Sequence, residues 1–174
     1  MTEVVYRVEV RPNPSSGDAR GDAACRQVAS SSPDCVPKKI NTASVFLVQG
    51  VLSTVQMQQI ADELLADPVT EVATLYAPGE AANKQHHNGD QAGLVSEIEV
   101  HPLPGVMDPA AQAVELAIAS LLGQSVSVRT GRRFELVGMS NEQAHAIAIQ
   151  CLANPVIHAV HDHRYHPATF AAGA

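Results

Sequence analysis

Tryptophan is absent from this chain of 174 residues, and aromatic side chains make up only 3% of it. A core without large rings must be assembled from Ala, Val, Leu and Ile. A module of roughly 75 residues built that way is marginal alone. Positive charge is also scarce: 11 Lys and Arg against 18 Asp and Glu leave a formal net charge of −7 and a sequence pI near 5.5. Such a chain repels phosphate backbones and has no basic patch, so nucleic acid is excluded as the expected partner. No apolar run approaches the roughly 20 residues that span a bilayer. Met1-Thr2-Glu3-Val4-Val5 lacks the basic region and apolar run of a secretory signal. Cys25, Cys35 and Cys151 are an odd number without paired or metal-ligand spacing, as in a reducing compartment. Gly-rich phosphate loops are missing too. What remains, 45% hydrophobic and 17% charged residues, fits a folded protein of the cytoplasm, with no membrane partner.

The most informative feature present is a duplication. Val5-Tyr6-Arg7-Val8-Glu9-Val10-Arg11-Pro12 lines up with Val95-Ser96-Glu97-Ile98-Glu99-Val100-His101-Pro102 at an offset of 90, which Asp18 and Asp108 share. Leu65-Ala66-Asp67-Pro68-Val69 lines up with Leu152-Ala153-Asn154-Pro155-Val156 at an offset of 87. The first copy therefore holds three extra residues, which we place around Ser30 to Asp34. The polar, aperiodic stretch from Ala77 to Asp90 reads as a linker. The division is a first module over 1–76, a linker over 77–93, a second module over 94–166 and a tail over 167–174.

Local signals repeat in both copies. Val95 to His101 alternates as a half-buried strand does. Asp108 caps a helix with Pro109 at its first position, and Gly123 ends it in a left-handed turn. The matching helix of the first copy, over Gly17 to Ala29, has a weaker apolar stripe. Val126 and Val128 start a strand, Arg129-Thr130-Gly131-Arg132 turns, and Phe134, Leu136 and Val137 return, which predicts a hairpin. Ser140 with Gln143, and Ser53 with Gln56, have capping-box spacing ahead of apolar stripes. Asp67-Pro68 and Asn154-Pro155 stop those helices and launch closing strands over 69–76 and 156–163. The fold class is α+β: two repeated β-α-β-β-α-β modules, each an antiparallel sheet with two helices on one face. The other sheet face needs a cover, and the twin module is the natural one.

Chemical constellations are few. His158, His161, His163 and His166 are close in sequence, but strand alternation puts His158 and His161 on opposite faces, so a closing strand and solvated tail fit better than a metal site. Cys151 falls on an apolar helix stripe, as a small core residue does. Glu9, Glu97 and Glu99 read as residues of solvated strand faces. The group from Arg129 to Arg133 is either a charged hairpin tip or a contact to a partner or anion.

Four ordered segments of the second copy carry a resemblance: Glu97-Ile98-Glu99-Val100-His101-Pro102, Met107-Asp108-Pro109, Val128-Arg129-Thr130-Gly131-Arg132, and Gln150-Cys151-Leu152-Ala153-Asn154-Pro155-Val156-Ile157. In this order they resemble the PurS family, the small subunit or N-terminal domain of phosphoribosylformylglycinamidine synthase. The family glycine after Asp-Pro is Ala111 here, and Arg132 stands for the turn lysine. The first copy lacks the Arg-x-Gly turn.

The resemblance implies two PurS-like modules paired like a PurS dimer, within one chain or between chains. It implies a non-catalytic part of the synthase, in purine biosynthesis, bridging glutaminase (PurQ-like) and synthetase (PurL-like) partners and aiding ammonia transfer. On that reading no cofactor is bound by this chain, since ATP, Mg and glutamine are used by the partners. Catalytic and metal residues are not expected, and Arg129, Thr130, Gly131 and Arg132 are the candidate partner or anion contacts. The alternative is a stand-alone small-molecule-binding regulatory module, because paired split-βαβ units often bind metabolites.

Overall fold

A computed structural model describes residues 3–80 and 94–170. Their elements follow the order β1 (Val4–Pro12), α1 (Ala19–Ser31), β2 (Lys39–Gly50), α2 (Thr54–Ile60), β3 (Glu71–Tyr76), β4 (Val95–Pro102), α3 (Pro109–Leu122), β5 (Ser127–Val137), α4 (Asn141–Ile147) and β6 (His158–His161). The expected linker lies outside the described residues from 81 onward, as do residues 171–174 of the expected tail.

The helix ends form where the side chains allow. The Asp18 carboxylate accepts from the Gly21 N–H at 2.8 Å, and Asp108 accepts from Ala111 at 3.0 Å. Gly123 closes α3 at φ +66°, a conformation that costs a residue with a Cβ. Ser53 with Gln56 and Ser140 with Gln143 form complete capping boxes. Both capped helices then run into a π-helical turn, Ala61–Leu65 and Ala148–Leu152. The side-chain oxygens of Asp67 and Asn154 next accept from the Val69 and Val156 N–H groups, at 2.8 and 3.1 Å, and turn the chain toward β3 and β6.

The strands make one six-stranded antiparallel sheet in the order β3-β1-β2-β5-β4-β6. The order is its own mirror, and β2 joins β5 in a ladder from Lys39↔Val137 to Gln49↔Ser127. Thr42 and Thr130 are equivalent, because each hydroxyl binds its own copy's capping aspartate at 2.9 Å. The same offset of 88 makes Ser44 equivalent to Arg132, and these two pair with each other. A pseudo-twofold axis therefore passes through that pair.

Three details differ from the sequence reading within the same α+β class. The hairpin is a single strand, so each copy runs β-α-β-α-β. Val128, Thr130, Arg132, Phe134 and Leu136 alternate without interruption, and Thr130 donates its N–H to Asp108 at 3.0 Å, which holds the segment extended. The twin copy does not cover the reverse sheet face; it continues the sheet edge to edge. The extra residues of the first copy are split: the offset falls from 90 at the first helices to 88 at β2 and β5. It reaches 87 at Ser53 and Ser140, so two extra residues lie between α1 and β2 and one lies between β2 and α2.

All four helices pack on one face, and the two apolar clusters beneath them mix the copies. Ala24 and Val28 of α1 pack with Ile98, Val100, Phe134 and Leu136 of the second copy and with α4. Ala111 and Ile118 of α3 pack with Tyr6, Val8 and Val10 of the first copy and with α2. Cys151 is buried in the former cluster. Among the described residues no helix is long and apolar enough to cross a membrane.

Candidate functional site

Strand alternation sends Arg7, Glu9, Arg11, Glu97, Glu99, His101, Arg133 and Glu135 to the face without helices. The Arg7, Glu9, Glu99 and Arg133 side chains are completely or almost completely buried there, where an unpaired charge would be very costly. They are paired across the copies. Arg7 of the first copy donates to Glu99 of the second, at 3.0 Å from Nη1 to Oε2 and through a second, shorter bond. Arg133 of the second donates to Glu9 of the first at 3.2 Å, and to Glu97 and Glu135. Arg11 reaches Glu135 at 2.8 Å.

Burial alone would push the Glu99 carboxyl up, but the His101 hydrogen bond and the Arg7 charge prevail and hold it at about 2. Glu9 is likewise held below the usual carboxylate range: burial opposes this, and Arg7 and Arg133 overcome it.

The segment after β6 covers this face. The Tyr165 N–H donates to Glu99 at 3.0 Å and its carbonyl accepts from Arg7 at 2.8 Å. His166 Nε2 lies 2.8 Å from the Val5 carbonyl. The Tyr165 ring stacks on His161, with centroids 4.4 Å apart, and packs edge-on to His101. Phe170 lies under the Arg129 guanidinium, 4.6 Å from its carbon, and its N–H donates to Gln49. The expected solvated histidine tail is therefore corrected: Arg164 is buried, Tyr165 and His166 are half-buried, and only the His163 end is open. No three His, Cys, Asp or Glu side chains come together as a metal site among the described residues.

The reading of Glu9 and Glu99 as solvated is also corrected. Opposite charges spaced two apart in Arg7-Val8-Glu9-Val10-Arg11 and in Arg133-Phe134-Glu135 were the available signal, because one strand face then carries self-pairing charge.

The four candidate contact residues do not act as a group. Arg129 faces the tail and Phe170. Thr130 is tied to Asp108. Gly131 is buried, and a Cβ there would overlap the His101 ring. Arg132 lies on the helix face, is exposed, and donates to the Leu152 carbonyl at 3.3 Å. Beside it opens a cleft of about 240 Å³ between α1 and the β2–β5 pair, with Phe134, Ala24 and Leu152 in its wall and Arg20, Gln27 and Arg132 at its polar part.

A single sheet with four helices on one face, built from two β-α-β-α-β copies about an internal axis, defines a fused pair of small α+β modules. Residues 95–163, nearly the whole second copy, match the PurS family, described as phosphoribosylformylglycinamidine (FGAM) synthase. That match ties the second copy to FGAM synthase and purine biosynthesis. A comparison with curated proteins found no match.

Proposed function

We propose that the whole chain is a PurS-type, non-catalytic component of FGAM synthase, with residues 1–76 and 94–166 acting as the two members of a PurS pair joined by 77–93. The family match over the second copy carries this reading, and the internal twofold arrangement supports it. In this role the chain works in the cytoplasm and binds no cofactor, leaving ATP, Mg and glutamine to a glutaminase and a synthetase partner. It holds those partners in register, so that ammonia passes between their sites without escaping to water. Of the Arg129–Arg132 segment, the exposed Arg132 is the member suited to meet a group outside the chain.

The test mixes the protein with glutaminase and synthetase subunits and follows FGAM formation. Glutamine-dependent activity should require this chain, whereas ammonia-dependent activity should not. Equal glutamine-dependent rates without the chain would sink the proposal. One observation, the cleft at Arg132, favours the second reading of a stand-alone ligand-binding module, and that result would bring it forward.

A further inference from the structure

The two copies differ most informatively at the cleft. Its floor is kept: Phe134 and Leu152 answer to Phe46 and Leu65 of the first copy. Its polar part is not. Arg20 answers to Ala110, Gln27 to Ala117 and Arg132 to Ser44, so one side of the pseudo-axis is cationic where its equivalent is small and uncharged.

Both guanidinium groups line the same cleft. Arg20 donates to Ser44 Oγ at 2.8 Å, and Ser44 is the cross-strand partner of Arg132. Neither is well neutralised. Arg132 forms no ion pair with a carboxylate among the described residues, and its described hydrogen bond goes to a backbone carbonyl. The nearest carboxylate oxygen to Arg20, on Glu71, is 3.5 Å away on an exposed pair worth little. Elsewhere on this acidic chain the buried arginines are matched by glutamates. Two cations lining one cleft with an apolar floor, Arg132 without a carboxylate partner and Arg20 with only an exposed, weak one, are the arrangement that an anion completes.

We propose that this cleft binds a small organic anion, a phosphate or carboxylate on a compact apolar body, with Arg20 and Arg132 holding the charged group and Phe134 under the body. At about 240 Å³ the cleft lies below the usual range for drug-sized ligands, which limits the occupant to one charged group and a ring or a few carbons. This inference is independent of the purine assignment.

The test titrates the intact protein with phenyl phosphate, benzoate and inorganic phosphate at constant ionic strength, following backbone amide shifts. Saturable shifts should cluster at Ala23, Ala24, Thr42 and Ala43. Phenyl phosphate or benzoate should bind about fivefold or more tighter than inorganic phosphate, because only they reach the floor. Arg132→Ser, which installs the first copy's residue, and Arg20→Ala should each weaken binding about tenfold while leaving the thermal midpoint near wild type. A preference for phenyl phosphate over benzoate assigns a phosphate ligand, and the reverse a carboxylate. Unchanged affinity in both variants, shifts spread over all surface arginines, or no saturation at millimolar probe would each overturn the proposal, whatever the purine assay shows.

Discussion

Gly131 sits in β5 with the His101 ring where a side chain would be. Between Thr130 and Arg132 it resembles a turn glycine, yet its work is to leave room for the His101 ring against the strand. That ring is wedged between Tyr165, His161 and Glu99, so it cannot step aside cheaply. Gly131→Ala should therefore destabilise by about 1–3 kcal/mol in urea unfolding. Combined with His101→Ala it should cost less than the sum of the single changes, because the overlap vanishes. Arg7 makes the opposite case. Truncation to Ala leaves Glu9 and Glu99 buried without their shared cation, and the expected loss is about 3–5 kcal/mol, also read by urea unfolding. Asp108, Gly123 and Ser140 were legible beforehand because their partners lie within a few residues. The Arg7–Glu99 pair joins positions 92 apart and has no local signature.

Among the elements, the helices and their caps came through most clearly from the sequence, and the long central strands least. A cap is a local event: an oxygen placed three residues before an N–H. Asp108 goes further, since the carboxylate that caps α3 also holds the Thr130 N–H and hydroxyl of β5. Asp108→Ala should then cost more than a simple cap, about 2–3 kcal/mol, with Asp18→Ala similar through Thr42. Thermal denaturation of both variants checks this, and a loss of a few tenths of a kcal/mol would show that the strand contact adds nothing. From the sequence β5 reads as a hairpin, because Thr130-Gly131 suits a turn by composition. Only pairing on both sides, with β2 and β4, makes the extended form the better one.

Considered whole, the molecule has no separable halves: each of the two apolar clusters under the helices takes a helix from one copy and strands from the other. Calorimetry should show a single transition whose calorimetric and van't Hoff enthalpies agree. Acid should weaken it in two stages. Burial depresses His161 and His166 below the ordinary 6.5, so the unfolded chain binds protons first and stability begins to fall as pH drops below about 6.5. Glu99, held at about 2 against an ordinary 4.5, contributes fully above about 4.5 and is lost as pH falls toward 2. That second stage is worth about 3 kcal/mol. Urea midpoints should be nearly level at neutral pH, decline gently below 6.5 and steeply below 4.5. Glu99→Gln should flatten the steep limb, and an unchanged limb would remove Glu99 as its cause.

The amino-acid sequence by itself determined the α+β class, the repeated spacing of its motifs, the four helices with the caps at Asp108, Ser53 and Ser140, and the resemblance of the second copy to PurS. Each rests on spacing along the chain, where periodicity and capping leave their mark. Tertiary structure alone decided that the copies join edge to edge, that the charged strand face is buried under the chain's own C-terminal segment, and that Arg20 and Arg132 share one cleft. Those outcomes depend on which residues meet across the pseudo-axis, and sheet register between distant strands is written only in the contacts that close it.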